Sequence, residues 1–198
     1  MSKEEILSRL RRNVRETYDM PDLSFPKTEF DDPVAEYIKQ TTTTAAAKLI
    51  EVKKGDDLNA LIHQAYPEAK IIASVVPGIN ATINPDEVAQ AQDLDNTDVT
   101  VLEGGVAVAE NACVWIPMNM KQKACMFCPV SLVVIVSRKN IVSNMHQAYK
   151  RLEEMGIDNT SKYGFGTFMS GASKTADIEQ TLVYGAQAAT SMTVLLTD

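Results

Sequence analysis

Met169–Glu179 reads MSGASKTADIE, which packs Ser170, Ser173, Lys174 and Thr175 into one short stretch with Asp177 and Glu179 directly behind. A loop that only connects two elements does not need so many groups able to hold an anion. The pattern predicts a strand end, a glycine turn and the first turn of a helix. Gly171 lets the backbone turn sharply and approach a ligand. A helix start adds free amides and the positive end of a dipole. Ser170, Ser173 and Thr175 add hydroxyls, and Lys174 adds a charge. A phosphate or a carboxylate fits such a turn. It is not a Walker A loop, because Ala172 and Ser173 intervene between Gly171 and Lys174-Thr175. The plainer alternative is that Ser173 or Thr175 caps the helix and Asp177 complements its dipole.

Glu110 is the second candidate. It sits in AENA, at a predicted turn between GVAVA and CVWIP. Apolar strands on both sides predict a partly desolvated carboxylate, suited to act as base or nucleophile. The AEN run is also similar to the S-E-N-G motif of CoA transferases, whose glutamate forms an acyl-CoA adduct, although Ala112 stands where that motif has glycine. The alternative is a solvated turn glutamate beside an asparagine that tolerates positive φ.

Cys125-Met-Phe-Cys128 invites a metal or redox reading. A structural zinc needs four ligands, usually as two such pairs. Here there is one pair, and Cys113, His63 and His146 are far away in sequence. The surroundings are apolar, so the pair reads as core and no metal site is expected. His63 and His146 read as helix-surface residues and Trp115 as core. Arg138-Lys139, after an apolar strand, reads as a solvated basic pair, with contact to an anionic ligand as the alternative.

The 198 residues suit one domain, with or without an extension. The formal net charge of −7 and the pI of about 4.9 argue against nucleic acid, which needs a basic footprint. No run approaches the roughly 18 apolar residues of a membrane span. MSKEEILSRL has no apolar signal region, so the chain is expected in the cytoplasm. Three cysteines in a reducing compartment do not make a disulfide framework.

The elements that must position these groups can be read in turn. Residues 1–45 read as an N-terminal helical arm. Ser2 with Glu5 makes a capping box, and Ile6, Leu10, Val14 and Tyr18 form a stripe. A proline-rich loop follows, then a helix opened by Asp32-Pro33. The arm is expected to pack on its own domain. A short amphipathic arm can also reach a partner subunit, which leaves a homo-oligomer open. Residues 46–198 alternate strands and helices, predicting an α/β domain with an open, mostly parallel sheet. SLVVIVS is its buried central strand. Helices are expected over GDDLNALIHQAY, NPDEVAQAQ, IVSNMHQAYKRLEEM and SKTADIEQTLVYGA, and a hairpin is expected near position 110.

In order, EGGVAVAENACVWIP, CPVSLVVIVSRKNIVSNMHQAYKRL and FMSGASKTADIEQTLVYGAQ resemble the signature blocks of the LUD domain, the domain of lactate-utilisation protein C. That pattern reads approximately A-E-T-G in the first block. In the second, an apolar strand runs into a basic residue and I-V. The third reads I-S-G-P-S-x-T-A-D-I-E, then G-V-H-G-P. SGASKTADIE is the specific part of the likeness, which covers roughly residues 45 to 198. The resemblance implies a NagB/RpiA/CoA-transferase-like fold, an α/β/α sandwich on a parallel sheet. It also implies a part in oxidising lactate to pyruvate beside two iron–sulfur partner proteins. It supplies no redox cofactor and no division of catalytic labour. The sequence departs from the pattern at Asn111, Ala112 and Ala172, and at Gln187, Ala188 and Ala189, which stand for H-G-P. If that histidine transfers protons, an amide cannot replace it. Three functions therefore stand. The first is a lactate-utilisation subunit binding a small anionic metabolite at the Ser170–Thr175 turn. The second is a CoA-transferase-like or sugar-phosphate enzyme using Glu110. The third is a non-catalytic scaffold subunit, for which Gln187 speaks.

Overall fold

Two nearly continuous apolar runs, SLVVIVS and SMTVLLT, set the architecture. The computed structural model describes residues 2–14, 16, 18–19, 21–22, 27–157, 165–178 and 180–198. Parts of the expected proline-rich loop, Tyr163-Gly164 of one expected strand, and Glu179 lie outside them. In chain order the elements begin with α1 (Lys3–Asn13), α2 (Pro33–Thr42), β1 (Lys48–Glu51), α3 (Leu58–Ala65), β2 (Ile72–Ser74) and β3 (Val99–Glu103). Next come β4 (Val106–Val108), β5 (Cys113–Pro117), β6 (Ser131–Ser137), β7 (Ile141–Val142) and α4 (Met145–Glu154). The chain closes with β8 (Gly166–Met169), β9 (Lys174–Thr175), β10 (Val183–Tyr184) and β11 (Ser191–Thr197).

The main sheet is parallel throughout, in the order β1-β11-β6-β3-β2. β6 and β11 pair over their whole length, from Ser191 beside Ser131 to Thr197 beside Ser137. Both faces of such a strand are apolar because both are covered. Val133 and Leu195 join Val99, Val101 and Ile62 of α3 in one core cluster. Leu132, Val134, Val136, Met192, Val194 and Leu196 point the other way into the largest cluster. This is the expected α/β class with a parallel sheet.

A second sheet, β7-β4-β5-β8, lies against that larger cluster. Its alternation follows the period of two of a strand. Ala107, Val114 and Ile116 face the main sheet, while Val106, Val108, Cys113 and Trp115 face α4 through Ala148 and Leu152. The layers run α3, parallel sheet, mixed sheet, α4. The hairpin expected near position 110 is β4–β5, paired antiparallel from Val106–Trp115 to Val108–Cys113.

Asp32 caps α2, accepting from Ala35 N at 3.0 Å with Pro33 in the first turn. Tyr37 of α2 is buried in the main cluster, with Val34 and Ile38 packed on it. α1 has the expected capping box but buries none of its residues. Ile6, Leu7, Leu10 and Val14 remain exposed, so the expected packing of the arm does not extend to α1. Among the described residues no helix is long and apolar enough to cross a membrane.

Three expected helices are corrected. NPDEV forms a turn, with Asn84 Oδ1 accepting from Asp86 N, and only Ala91–Leu94 coil into a 3-10 turn. Ile141-Val142, β-branched, pair with Ala107-Val108, so α4 starts later, capped by Asn144. The stretch after Gly171 is not a helix. Lys174-Thr175 pair antiparallel with Tyr184-Val183 as a hairpin, with Gln180 of its loop and Gly185 just beyond it at positive φ.

Candidate functional site

Glu110-Asn111 and Ser170–Lys174, read separately in the sequence, meet in space. β5 and β8 run antiparallel with Val114 beside Met169, which brings the two turns together. Ser170 Oγ donates to the Asn111 carbonyl at 2.8 Å. Asn111 Oδ1 in turn accepts from Cys113 N at 3.1 Å. Ala112 between them has φ 54°, a conformation that favours glycine.

The expected anion turn is folded around the protein's own backbone. Gly171 has φ +70°, and a Cβ there would lie 2.0 Å from the Ala45 carbonyl oxygen. Ser173 N donates to Ala189 O at 2.9 Å, and Ser173 O accepts from Gly185 N at 2.8 Å. Lys174 Nζ donates to Thr44 O at 2.7 Å, beyond the last turn of α2. Thr175 Oγ1 accepts from Asp177 N at 3.3 Å. Among the described residues there is no helix here and so no helix dipole, and the hydrogen bonds of this turn fasten α2, β5 and the β9–β10 hairpin together. The location is corrected as well. Ala45 and Ala189 stand just before β1 and β11, so this cluster lies at the amino edge of the parallel sheet. Open α/β sheets bind ligands at the opposite, carboxyl edge.

Glu110 is exposed, not desolvated between strands. Its Oε1 accepts from Met145 N at 2.8 Å in the first turn of α4, where a carboxylate also complements the helix dipole. Its own amide donates to Ser143 O at 3.1 Å.

The cysteines divide as packing dictates. Burial pushes the thiols of Cys113 and Cys125 up to about 12. Cys113 Sγ lies 3.5 Å from Met145 Sδ. Cys128 is exposed, so the C-x-x-C pair has one member inside the core and one outside it. Among the described residues no group of three or more His, Cys, Asp and Glu stands close enough to hold a metal. Tyr37 and Thr41 carry buried hydroxyls without a hydrogen bond of ordinary geometry, and burial raises the Tyr37 phenol above its usual range.

The carboxyl edge holds what the sequence reading missed. Arg138, just after β6, forms ion pairs with Glu51 at the end of β1 and with Asp198 after β11, the latter at 3.7 Å. It is thus neither a free cation nor half of a merely solvated pair. Beside it, at the end of β3, lies a cleft of about 250 Å³ lined by Glu103, Trp115, Asn119 and Asn140, with Met155 and Ile157. A smaller cavity of about 130 Å³ adjoins it and shares Glu103, Pro117 and Asn119. The one sequence signal was Glu103-Gly104-Gly105 directly after a buried strand.

Residues 90–197, more than half of the chain, match the LUD domain family. A DUF162 family protein from Deinococcus radiodurans has a similar fold, with a TM-score of 0.63 over 87% of this chain and 100% of that one, at 12% identity. No curated protein matches the chain.

Proposed function

We propose, from the premise that this chain belongs to the LUD-domain family, that it serves in the cytoplasm as a subunit in the oxidation of lactate to pyruvate beside iron–sulfur partner proteins. The family match carries the reading, because it spans all three signature blocks in full: residues 103–117, 128–152 and 168–187 all fall within it. On this reading the redox centres belong to the partners, and this chain binds a small anionic metabolite at its signature cluster.

What supports an anion there is the side-chain chemistry that remains. An ammonium has three donors, and Thr44 O takes one from Lys174. Ser173 precedes it in the chain, and the Ser173 hydrogen bonds described above use only its backbone. Ser170, Gly171, Thr175 and Asp177 shape this turn instead of contacting the metabolite. Glu110 as an acyl-transfer nucleophile is the weaker reading. It is exposed, and its carboxylate is engaged with the first amide of α4.

The test is reconstitution of lactate-dependent reduction of an artificial electron acceptor from this chain and the iron–sulfur proteins. The expected result is activity only with this chain present, and a higher lactate requirement in Lys174→Ala. Full activity without the chain overturns the role. Unchanged lactate dependence in Lys174→Ala overturns the site.

A further inference from the structure

We propose that the cleft at the carboxyl end of β3 binds a small flat organic group that carries N–H donors and no negative charge, of the size of a nucleobase. This does not rest on the lactate reading, and it concerns the opposite edge of the sheet from the signature cluster. The position is where open α/β sheets receive ligands. The walls are those of a ligand site, mostly apolar with few polar groups. Trp115, Met155 and Ile157 form the apolar surface.

Trp115 cannot swing away. A Cβ on Gly166 would lie 2.3 Å from indole Cε2 and Cζ2, and one on Gly105 would lie 2.9 Å from Cε3. The indole is clamped between two backbones and is only 5% exposed, so the small part of it that borders the cleft is preorganised. Three polar residues line the same cleft. Among the described residues the Glu103 carboxylate and the Asn119 and Asn140 amides make no hydrogen bond or ion pair.

Charge and size then select the ligand. Among the described residues Glu103 is the single charged group lining the cleft and its adjoining cavity, so an anion such as lactate is repelled and a donor is attracted. A carboxylate accepts only, while the two amides donate and accept. A ring edge with N–H donors beside ring acceptors meets that set. At about 250 Å³ the cleft exceeds what an ordered water needs and falls below the roughly 300–1,000 Å³ of drug-sized sites.

Trp115 is the single tryptophan of the chain, so its emission reports on this cleft directly. Adenosine is the probe, with N6,N6-dimethyladenosine as the analogue lacking N–H donors on the ring edge and AMP as the phosphate-bearing form. The expected result is a saturable change in Trp115 emission with adenosine, about tenfold weaker in Glu103→Gln, as expected when a charge-assisted hydrogen bond becomes a neutral one. The dimethyl analogue is expected to bind correspondingly worse. AMP binding at least as tightly as adenosine means that the group arrives as part of a nucleotide, and weaker AMP binding means a free base or nucleoside; either supports the site. No saturable change at up to about 10 mM, ten times the Kd of a millimolar fragment, overturns it. Equal affinity in Glu103→Gln, or displacement of adenosine by lactate, overturns the assignment of charge and donors.

Discussion

The two edges of the parallel sheet differ in what their polar groups do. At the amino edge, Ser170, Ser173, Lys174, Glu110 and Asn111 are dense in sequence, and each bonds the protein's own backbone. At the carboxyl edge, Glu103, Asn119 and Asn140 are scattered along the chain and their side chains bond nothing among the described residues, yet they share one cleft. A cluster of capping and turn residues marks where a chain must be fastened. The capacity to hold a ligand is what remains unpaired after fastening, and it appears only when distant segments are brought together.

The sharpest way to break this contrast is to crowd each edge in turn. Gly171→Ala places a Cβ against Ala45 O in a backbone with φ +70°. Strain plus displacement of the loop before β1 is expected to cost about 4 kcal/mol, read from urea unfolding. Asn119→Ala at the carboxyl edge should stay within about 0.5 kcal/mol. Equal losses at both positions would dissolve the distinction. Next in size, Glu110→Ala removes the acceptor for Met145 N and should cost about 1 kcal/mol, with Glu110→Gln losing less. No loss in Glu110→Ala would mean that its carboxylate is free for other work.

Arg138→Ala tests the carboxyl edge from its charged side. The Arg138 side chain is 28% exposed, and Glu51 and Asp198 are more so, which limits the expected loss to about 0.5–1 kcal/mol, shrinking in high salt. A larger, salt-independent loss would show that this edge too is fastened by its polar groups. The smallest effect concerns Asp98, just before β3. Hydrogen bonds from the amides of Ile71 and Lys70 hold its carboxyl below the usual range. A depressed folded-state pKa stabilises the fold above the unfolded value of about 3.9, and that contribution is lost as pH falls through the folded value. Urea midpoints of Asp98→Asn should therefore fall less steeply than wild type below about pH 4. Parallel acid limbs would remove Asp98 from the account.

The main sheet was legible because its signal is coarse. SLVVIVS is apolar at every inner position, and burial on both faces is the one environment that explains it. The β4–β5 hairpin was legible by alternation on either side of Glu110-Asn111. The segment after Gly171 was not, because the chemistry that caps a helix also closes a turn. Thr175 Oγ1 holds Asp177 N in the way an N-cap would, while pairing of Thr175 with Val183 decides for a hairpin. Ile141-Val142 misled for a related reason: their partner strand lies more than thirty residues earlier in the chain. The carboxyl-edge cleft left almost no trace, since Asn119 sits in no motif and Asn140, although inside the second signature block, has no chemical role there that its neighbours reveal.

β11 enters the sheet between β1 and β6, the first and fourth of its five strands to be synthesised. On the ribosome, β1 must therefore wait for its neighbour until about 140 residues have followed it, while β6 keeps one edge bare. Both waiting edges are rows of unpaired amides and carbonyls with apolar side chains, the template on which chains pair wrongly. The nascent protein is at its most vulnerable just before its last strand emerges, and a single strand then seals two edges at once. A premature stop, or a proteolytic cut ahead of Ser191, would leave a product defective in solubility before it is defective in any activity.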